Sequence, residues 1–299
     1  MSWLQLRITT TREHSGPIED ALLAAGALSI TMEDNADQPI LEPALGETPL
    51  WNETRITGLY TADVDIDQTI LVAARAYGSP LPDFRWEILE EKDWVREWMA
   101  DFKPIRFGKR LWVCPSWDVP PDPNAANLML DPGLAFGTGT HPTTALCLEW
   151  LDSCDLENKI VVDYGCGSGI LAIAALLLGA KEVIAIDNDP QALLATAENA
   201  KRNHIDPDRI GTFLPGSAPK NIKAHIVVAN ILAGPLAELA PLLSEMCLPD
   251  GYIALSGILS NQSSTLTDCY KQWFDMNPPA TEEDWVRLSG RKYESDLTT

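Results

Sequence analysis

Apolar and polar residues alternate along several short segments of the N-terminal third of the chain. From Trp3 to Thr10 the apolar side chains fall mainly at every second position, which is typical of a strand with one buried face. Two helical patterns are followed by Gly26 and Gly78, and glycine suits a helix C-terminus. The predicted elements are strands at 3–10, 27–33, 55–61 and 84–89 and helices at 17–25 and 67–77. Their order, β-α-β-β-α-β, predicts a ferredoxin-like domain over residues 1–90.

A tryptophan-bearing segment follows this domain. Trp94, Trp98 and Phe102 recur at every fourth position and therefore share one face of a helix. We assign residues 91–103 to a linker helix. The aromatic stripe is either a packing face, which we favour, or a hinge that touches a substrate.

Apolar strand and helix patterns alternate through residues 104–299. Strand-like segments at 104–107, 111–114 and 127–130 form a platform that leads into this second domain. Further strands are predicted at 159–164, 182–186, 211–214, 224–229, 252–256 and 285–289, with helices at 142–153, 170–178, 190–203, 235–246 and 261–274. This alternation predicts a Rossmann-like α/β domain with a seven-stranded, mostly parallel sheet, which binds ligands at the carboxyl ends of its strands.

A glycine-rich turn separates the first of these strands from its helix. Gly165, Gly167 and Gly169 alternate with other residues after Asp163, and glycine permits the positive φ angles and close ligand approach that such a turn needs. A dinucleotide fingerprint would need its third glycine where Ile170 stands. The spacing therefore fits a dinucleotide poorly.

An acidic residue ends the next strand. Asp187 lies twenty-two residues after Gly165, a position from which a carboxylate can accept hydrogen bonds from both hydroxyls of a ribose. Alternatively, Asp187 only caps the helix that begins near Pro190. Asp163, the glycines and Asp187 together resemble motifs I and II of the S-adenosylmethionine-dependent methyltransferases. That resemblance implies that Asp163 and the glycines hold the methionine end of the cofactor and that Asp187 holds its ribose.

The formal net charge of −21 narrows the choice of partner. Residues 1–102 carry −12 and the remainder −9, so both parts are acidic. This disfavours the phosphate neutralisation on which nucleic-acid binding depends, and it favours a basic macromolecule. The alternative is that the acidity serves only solubility.

Cysteine and histidine positions exclude other classes of site. The six cysteines form no C-x-x-C pair and indicate reduced thiols in a cytoplasmic protein, and none of the four histidines has metal-ligand spacing. We expect no metal, no signal peptide and no membrane segment, since the longest apolar run, 170–180, is about half of a membrane span.

Two further motifs make the resemblance specific. A glycine- and hydroxyl-rich loop at 131–144 ends in G-T-G-T-H-P-T-T, and N-I-L-A-G-P-L runs from Asn230 to Leu236. With the glycine turn, these motifs resemble the ribosomal protein L11 methyltransferase (PrmA) family over nearly the whole chain. The resemblance implies methylation, by S-adenosylmethionine, of lysine ε-amino groups and the N-terminal α-amino group of a basic ribosomal protein. It also implies that the N-terminal domain reads the substrate and moves relative to the catalytic domain.

The family pattern also suggests the cofactor contacts. They are Thr144, Gly165, Gly167, Asp187 and Asn230, with Asp163 close by. Two alternatives without a cofactor contact stay open: Thr144 is only a first-turn helix residue, and Asn230 only caps the following helix. The segment Pro215–Ser217 has no acid for the adenine amino group, so we expect backbone or hydroxyl groups to recognise adenine there.

The residues after Asn230 bear on the nucleophile. Amine methyltransferases with N-P-P-Y use the Asn oxygen and a following carbonyl to aim the nitrogen lone pair, whereas this chain has Asn230-Ile231-Leu232-Ala233 and no stacking ring. A flexible aliphatic amine therefore fits better than a flat base or amide. His141 is the one histidine near the predicted site; it is a base or, as we favour, a loop-ordering residue, and we assign no catalytic acid or base.

Rival functions remain at this point. One is a methyltransferase that acts on another protein amide, a nucleic-acid base or a small molecule. The other is a non-catalytic nucleotide-binding module or a dehydrogenase, which the glycine spacing disfavours.

Overall fold

The computed structural model describes residues 3–36, 49–89, 102–131 and 140–294. Its internal contacts divide the chain into two units, Met1–Met99 and Ala100–Thr299. The predicted linker helix at 91–103 falls almost entirely outside the described residues.

The N-terminal unit has the predicted β-α-β-β-α-β order. Its elements are β1 (Trp3–Thr11), α1 (Arg12–Ala24), β2 (Ser29–Asp34), β3 (Glu53–Thr61), α2 (Ile66–Tyr77) and β4 (Phe84–Leu89). The sheet order is β2-β3-β1-β4 and every pair is antiparallel, as in ferredoxin-like domains. Alternate residues of the strands, such as Leu6 and Ile56, pack with Ile18 and Leu22 of α1 to form its core. The predicted start of α1 was wrong: the helix begins at Arg12, and Pro17 is its sixth residue, where the missing N–H removes one intrahelical hydrogen bond.

The second unit begins with a small sheet. It contains β5 (Ile105–Phe107), β6 (Leu111–Cys114) and β7 (Ala126–Met129), which confirm the predicted platform. Strand β5 is antiparallel to β6, and β7 is parallel to it. Asp152 holds this sheet to the following helix by accepting hydrogen bonds from the backbone N–H groups of Lys109 and Arg110 at 2.6 and 2.9 Å.

The large sheet forms the centre of the second unit. Its elements are α3 (Pro142–Ser153), β8 (Ile160–Tyr164), α4 (Ile170–Leu177), β9 (Glu182–Ile186), α5 (Pro190–Arg202), β10 (Ile210–Phe213), β11 (Ala224–Asn230), α6 (Ala233–Met246), β12 (Cys247–Leu259), α7 (Ser263–Tyr270), β13 (Phe274–Met276), β14 (Ala280–Glu282) and β15 (Trp285–Lys292). The strand order is β10-β9-β8-β11-β12-β15-β13, with β14 paired to β15. The first five strands are parallel, and β13, β14 and β15 pair antiparallel. The predicted seven-stranded sheet is therefore present, with β14 as a short eighth strand.

Both faces of this sheet are buried. Val161 faces the layer that contains the apolar residues of α3 and α4, whereas Val162 and Tyr164 face the layer of α6 and α7. The predicted helix at 261–274 was too long: α7 ends at Tyr270, because Phe274 is buried in strand β13. None of the helices in the described ranges is long and apolar enough to cross a membrane.

Candidate functional site

The glycine turn lies at the carboxyl end of β8, between the central strands of the sheet. Gly165, Gly167 and Gly169 all have positive φ, at 83°, 54° and 79°. The N–H groups of Gly165 and Cys166 donate to the carbonyl of Ile186 at 2.7 and 3.1 Å, which ties the turn to the end of β9. A Cβ at Gly169 would lie 2.8 Å from Thr196. Close packing therefore needs glycine here, in addition to the backbone angles.

Asp163 is a buried carboxylate beneath this turn. Its side chain is almost fully buried, and Oδ2 accepts a hydrogen bond from the N–H of Ala172, in the first turn of α4, at 3.0 Å. Oδ1 is buried and has no hydrogen-bond partner among the described residues. Burial raises the pKa of Asp163 to about 7; the Ala172 N–H opposes this shift, and the negative charge of Asp187 adds to it. The unpaired oxygen is a position where a cationic donor would be stabilised.

Asp187 joins the glycine turn to the loop after β9. Its Oδ2 accepts from the N–H of Gly167 at 2.9 Å, and its Oδ1 accepts from the N–H of Asp189 at 2.9 Å. The alternative that Asp187 caps α5 is wrong, because Asp189 is the N-cap and accepts from the N–H of Gln191 at 2.8 Å. A carboxylate oxygen has a second lone pair, so each oxygen of Asp187 can still accept a hydroxyl.

Asn230 contacts Thr144 at the carboxyl end of β11. The Nδ2 of Asn230, the last residue of β11, donates to Oγ1 of Thr144 at 3.3 Å. Thr144 is fully buried in the first turn of α3. The N-cap of α6 is Leu232, so the alternative that Asn230 caps this helix is wrong. The hydrogen bond from Nδ2 to Thr144 fixes the orientation of the amide, and the amide oxygen of Asn230 is the acceptor that it offers to a ligand.

His141 begins α3. Its Nδ1 accepts from the N–H of Thr143 at 3.3 Å and lies 2.8 Å from Thr143 Oγ1, so His141 is the N-cap of this helix. Its ring packs edge-on against Trp285, with 5.0 Å between centroids. Partial burial lowers the pKa of His141, and the negative charge of Glu283 opposes that shift. These contacts fit an ordering role for His141 rather than that of a base.

The loop at 131–144 is anchored at both described ends, although residues 132–139 lie outside the described ranges. Asp131 accepts from the N–H and hydroxyl of Ser116 at 2.7 and 2.9 Å and lies 3.5 Å from the guanidinium of Arg202. His141 and Trp285 hold the other end.

The segment after β10 is the predicted position for adenine recognition by backbone and hydroxyl groups. Pro215–Ser217 forms a 3-10 turn, in which the Ser217 hydroxyl donates to the carbonyl of Leu214 at 3.1 Å. A cavity of about 400 Å³ lies behind this turn, between Tyr164, Ile186 and the C-terminal half of α6. Tyr164 and Ile186 face the α6 side of the sheet, so the cavity lies on the opposite face from α4, with which Asp163 bonds.

Sequence reasoning missed the groups that support the turn from α5. Asn199 Nδ2 donates to the carbonyl of Ser168 at 2.9 Å, and Thr196 Oγ1 donates to the carbonyl of Gly167 at 3.1 Å. Asn203 makes two bonds to the backbone of Met129, at 2.7 and 2.8 Å. The available signal was three polar residues at helical spacing on a face that also carries Ala192 and Ala200, both buried.

The five predicted cofactor residues thus lie in two bonded groups at the carboxyl ends of β8, β9 and β11. Gly165, Gly167 and Asp187 form one group, and Thr144 and Asn230 form the other. The side chain of Ile231 touches Gly165 and connects the two groups. No cluster of His, Cys, Asp or Glu within the described residues has the form of a metal site.

Known proteins resemble this chain along nearly its full length. A family model described as "Ribosomal protein L11 methyltransferase (PrmA)" matches residues 2–293. A ribosomal protein L11 methyltransferase of Cellvibrio japonicus is 58% identical over 98% of this chain and 99% of that protein. One of Shewanella amazonensis is 55% identical over 97% and 98%. The crystal structure of a ribosomal protein L11 methylase from Lactobacillus delbrueckii subsp. bulgaricus, 33% identical, covers 64% of this chain and 100% of its own with a TM-score of 0.58.

Proposed function

Because the chain belongs to the ribosomal protein L11 methyltransferase (PrmA) family, we propose that it transfers methyl groups from S-adenosylmethionine to amino groups of ribosomal protein L11. The accepting groups are lysine ε-amines and the N-terminal α-amine. The observation that carries this proposal is that a buried unpaired carboxylate oxygen, on Asp163, and an Asn230 amide held by Thr144 lie at the carboxyl ends of the neighbouring parallel strands β8 and β11. The first suits a cationic cofactor, and the second suits an amine.

The residues present fit the cofactor. Oδ1 of Asp163 would pair with its ammonium group, and the two oxygens of Asp187 would accept the ribose hydroxyls. Gly165 and Gly167 present bare backbone, and the Pro215–Ser217 turn offers backbone and hydroxyl groups to adenine. The bound cofactor supplies an activated methyl group for an in-line displacement.

The amine is oriented by the turn after β11. Asn230 Oδ1 and the carbonyl of Ile231 accept its N–H groups, which directs the nitrogen lone pair away from them and toward the methyl. Ile231, Leu232 and Ala233 provide no ring on which a flat base would stack. This favours an aliphatic amine over a nucleic-acid base.

No dedicated general base serves the reaction. The Nδ1 of His141 is occupied as a helix cap, and the unpaired oxygen of Asp163 is the one that would pair with the cofactor ammonium. A lysine ammonium has a pKa of ~10.4 and an α-ammonium one of ~8, so both are mainly protonated at neutral pH. The protonated form has no lone pair, and the amine therefore loses its proton to solvent before methyl transfer.

The N-terminal unit recognises the protein substrate. The charge of −12 over residues 1–102 complements a basic ribosomal protein and gives no support for direct nucleic-acid binding. The reaction takes place in the cytoplasm, where the six free cysteines stay reduced.

Purified L11 incubated with the enzyme and S-adenosylmethionine should gain mass in steps of one CH₂. The critical comparison is Asp187→Asn against Asp189→Asn, two residues apart, since only the first loses a proposed ribose contact. Asp187→Asn should weaken cofactor binding roughly tenfold to a hundredfold, because hydrogen bonds to a charged group contribute about 1.5–3 kcal/mol. Asp189→Asn keeps a good helix cap and should bind as the parent does. Cofactor binding without any gain of mass in L11 would refute the substrate and favour another nucleophile.

A further inference from the structure

Ile231 is enclosed by two glycines from the strands on either side of β11. Gly165 follows β8, and a Cβ there would lie 2.2 Å from Cγ2 of Ile231. Gly257 lies in β12 with a φ of 83°, and a Cβ there would lie 2.4 Å from the Ile231 carbonyl oxygen and 2.8 Å from its carbon. The side chain of Ile231 thus packs on one glycine and its peptide on the other. We call this arrangement the Ile231 clamp.

The clamp lies directly beside the residue that faces the amine. Asn230 pairs with Ser256, the neighbour of Gly257, and the pairing of β12 with β15 shifts register between Leu255 and Ile258. This irregularity allows the left-handed conformation of Gly257, which brings its backbone against the Ile231 peptide. Any displacement of that peptide therefore moves Asn230.

The sequence shows why such support is needed. A proline after the asparagine would fix its own φ and restrict the asparagine, but Ile231 and Leu232 impose neither constraint. Packing between the two glycines supplies the rigidity that the chain does not supply covalently.

We propose that Gly257 is a positioning residue, which acts through the Ile231 peptide to place the Asn230 amide and the Ile231 carbonyl for the incoming amine. The inference rests on the proposed amine methyltransfer. The two sides of the clamp differ in the atoms that an added Cβ would meet. A Cβ at Gly257 meets backbone atoms that cannot move aside, whereas a Cβ at Gly165 meets a methyl group that Ile231→Ala removes.

The test compares Gly257→Ala with Gly234→Ala, whose added Cβ would meet nothing within 4 Å. The turnover number is measured with L11 and cofactor both saturating, and cofactor Kd is measured separately by calorimetry. A displacement of about 1 Å in a reacting group can lower the rate roughly a hundredfold. We expect Gly257→Ala to lower kcat by roughly tenfold to a hundredfold with much less change in cofactor Kd, and Gly234→Ala to match the parent. Unchanged kcat in a folded Gly257→Ala would overturn the proposal.

A second pair of variants tests the clamp if Gly257→Ala does not fold. Ile231→Ala removes the methyl group that packs against Gly165 and should lower kcat at unchanged cofactor Kd, whereas Ile231→Val keeps that methyl group and should lower kcat less than Ile231→Ala does. Ile231→Ala should partly restore a Gly165→Ala enzyme but leave Gly257→Ala as impaired as before. Equal turnover of the Val and Ala variants would overturn the clamp while leaving the function intact. Failure of the unaltered enzyme to methylate L11 would overturn both.

Discussion

The hydroxyl of Thr144 accepts a hydrogen bond from Nδ2 of Asn230 across 3.3 Å, between residues that are eighty-six positions apart in the chain. This contact orients an amide whose oxygen faces the proposed amine site. It also joins the first turn of α3 to the end of β11.

Thr144→Val should impair catalysis more than folding. Valine keeps the shape of the buried side chain but frees the Asn230 amide to rotate, so we expect kcat to fall about tenfold and stability by about 1 kcal/mol. Thr144→Ser retains the hydroxyl and is the matched control. Steady-state rates with L11 and urea unfolding of all three proteins provide the measurement; identical rates for the valine and serine variants would show that the hydroxyl orients nothing.

His141→Ala should behave as a lost helix cap. Loss of an N-cap side chain costs about 1 kcal/mol, so the unfolding temperature should fall while kcat changes by less than about tenfold. His141→Asn, which supplies another good N-cap, should recover the lost stability. A rate loss of several orders of magnitude in both variants, with cofactor affinity retained, would instead identify His141 as a base.

Asp163 should make the ligand-free protein less stable as the pH rises. Its folded pKa of about 7 lies above the unfolded value near 3.9, so its contribution to stability is fully present below about pH 4 and is lost as the pH approaches 7. Urea unfolding from pH 4.5 to 7.5, for the parent and Asp163→Asn, isolates this contribution as the difference between the two curves. The parent should lose stability relative to the Asn variant across this window. A difference that is flat or of opposite slope would contradict the raised pKa.

Asn203→Ala should destabilise the second unit. The side chain satisfies both the N–H and the carbonyl of Met129, and an unsatisfied buried polar group costs about 1–3 kcal/mol. We expect a loss of roughly 2–4 kcal/mol in the free energy of unfolding, measured by urea titration. Lys201→Ala, an exposed change on the same helix, is the control and should leave stability within about 0.5 kcal/mol. If Asn203→Ala matched this control, the two bonds to Met129 would contribute little.

Local patterns predicted most of the fold and one half of the candidate site. Alternation identified the strands, and the spacing of Asp163, Gly165, Gly167 and Asp187 identified the turn, because these residues act within one strand–turn–helix–strand unit. Gly257, by contrast, reads in the sequence as an ordinary glycine within a strand. Its close approach to Ile231 depends on which strands become neighbours, and no local pattern contains that information.

Helix ends were predicted less well than helices. The sequence pattern predicts that α1 begins at Pro17 and that α7 ends at Phe274, whereas α1 begins at Arg12 and α7 ends at Tyr270. In both cases the local preference of one residue was outweighed by the packing of its neighbours against a sheet. Asp187 shows the reverse: its position suited a cap, but Asp189 takes that role and leaves Asp187 at the glycine turn.

The chemical identity of the methylated group tests the central claim most directly. L11 is treated with the enzyme and S-adenosylmethionine carrying a deuterated methyl group, and the labelled residues are mapped by peptide mass spectrometry. We expect all label on lysine ε-nitrogens and the N-terminal α-nitrogen, with label falling in parallel with kcat in Thr144→Val. Label on glutamine amides, or label found as base-labile carboxyl esters, would contradict the proposal that an amine binds beside Asn230.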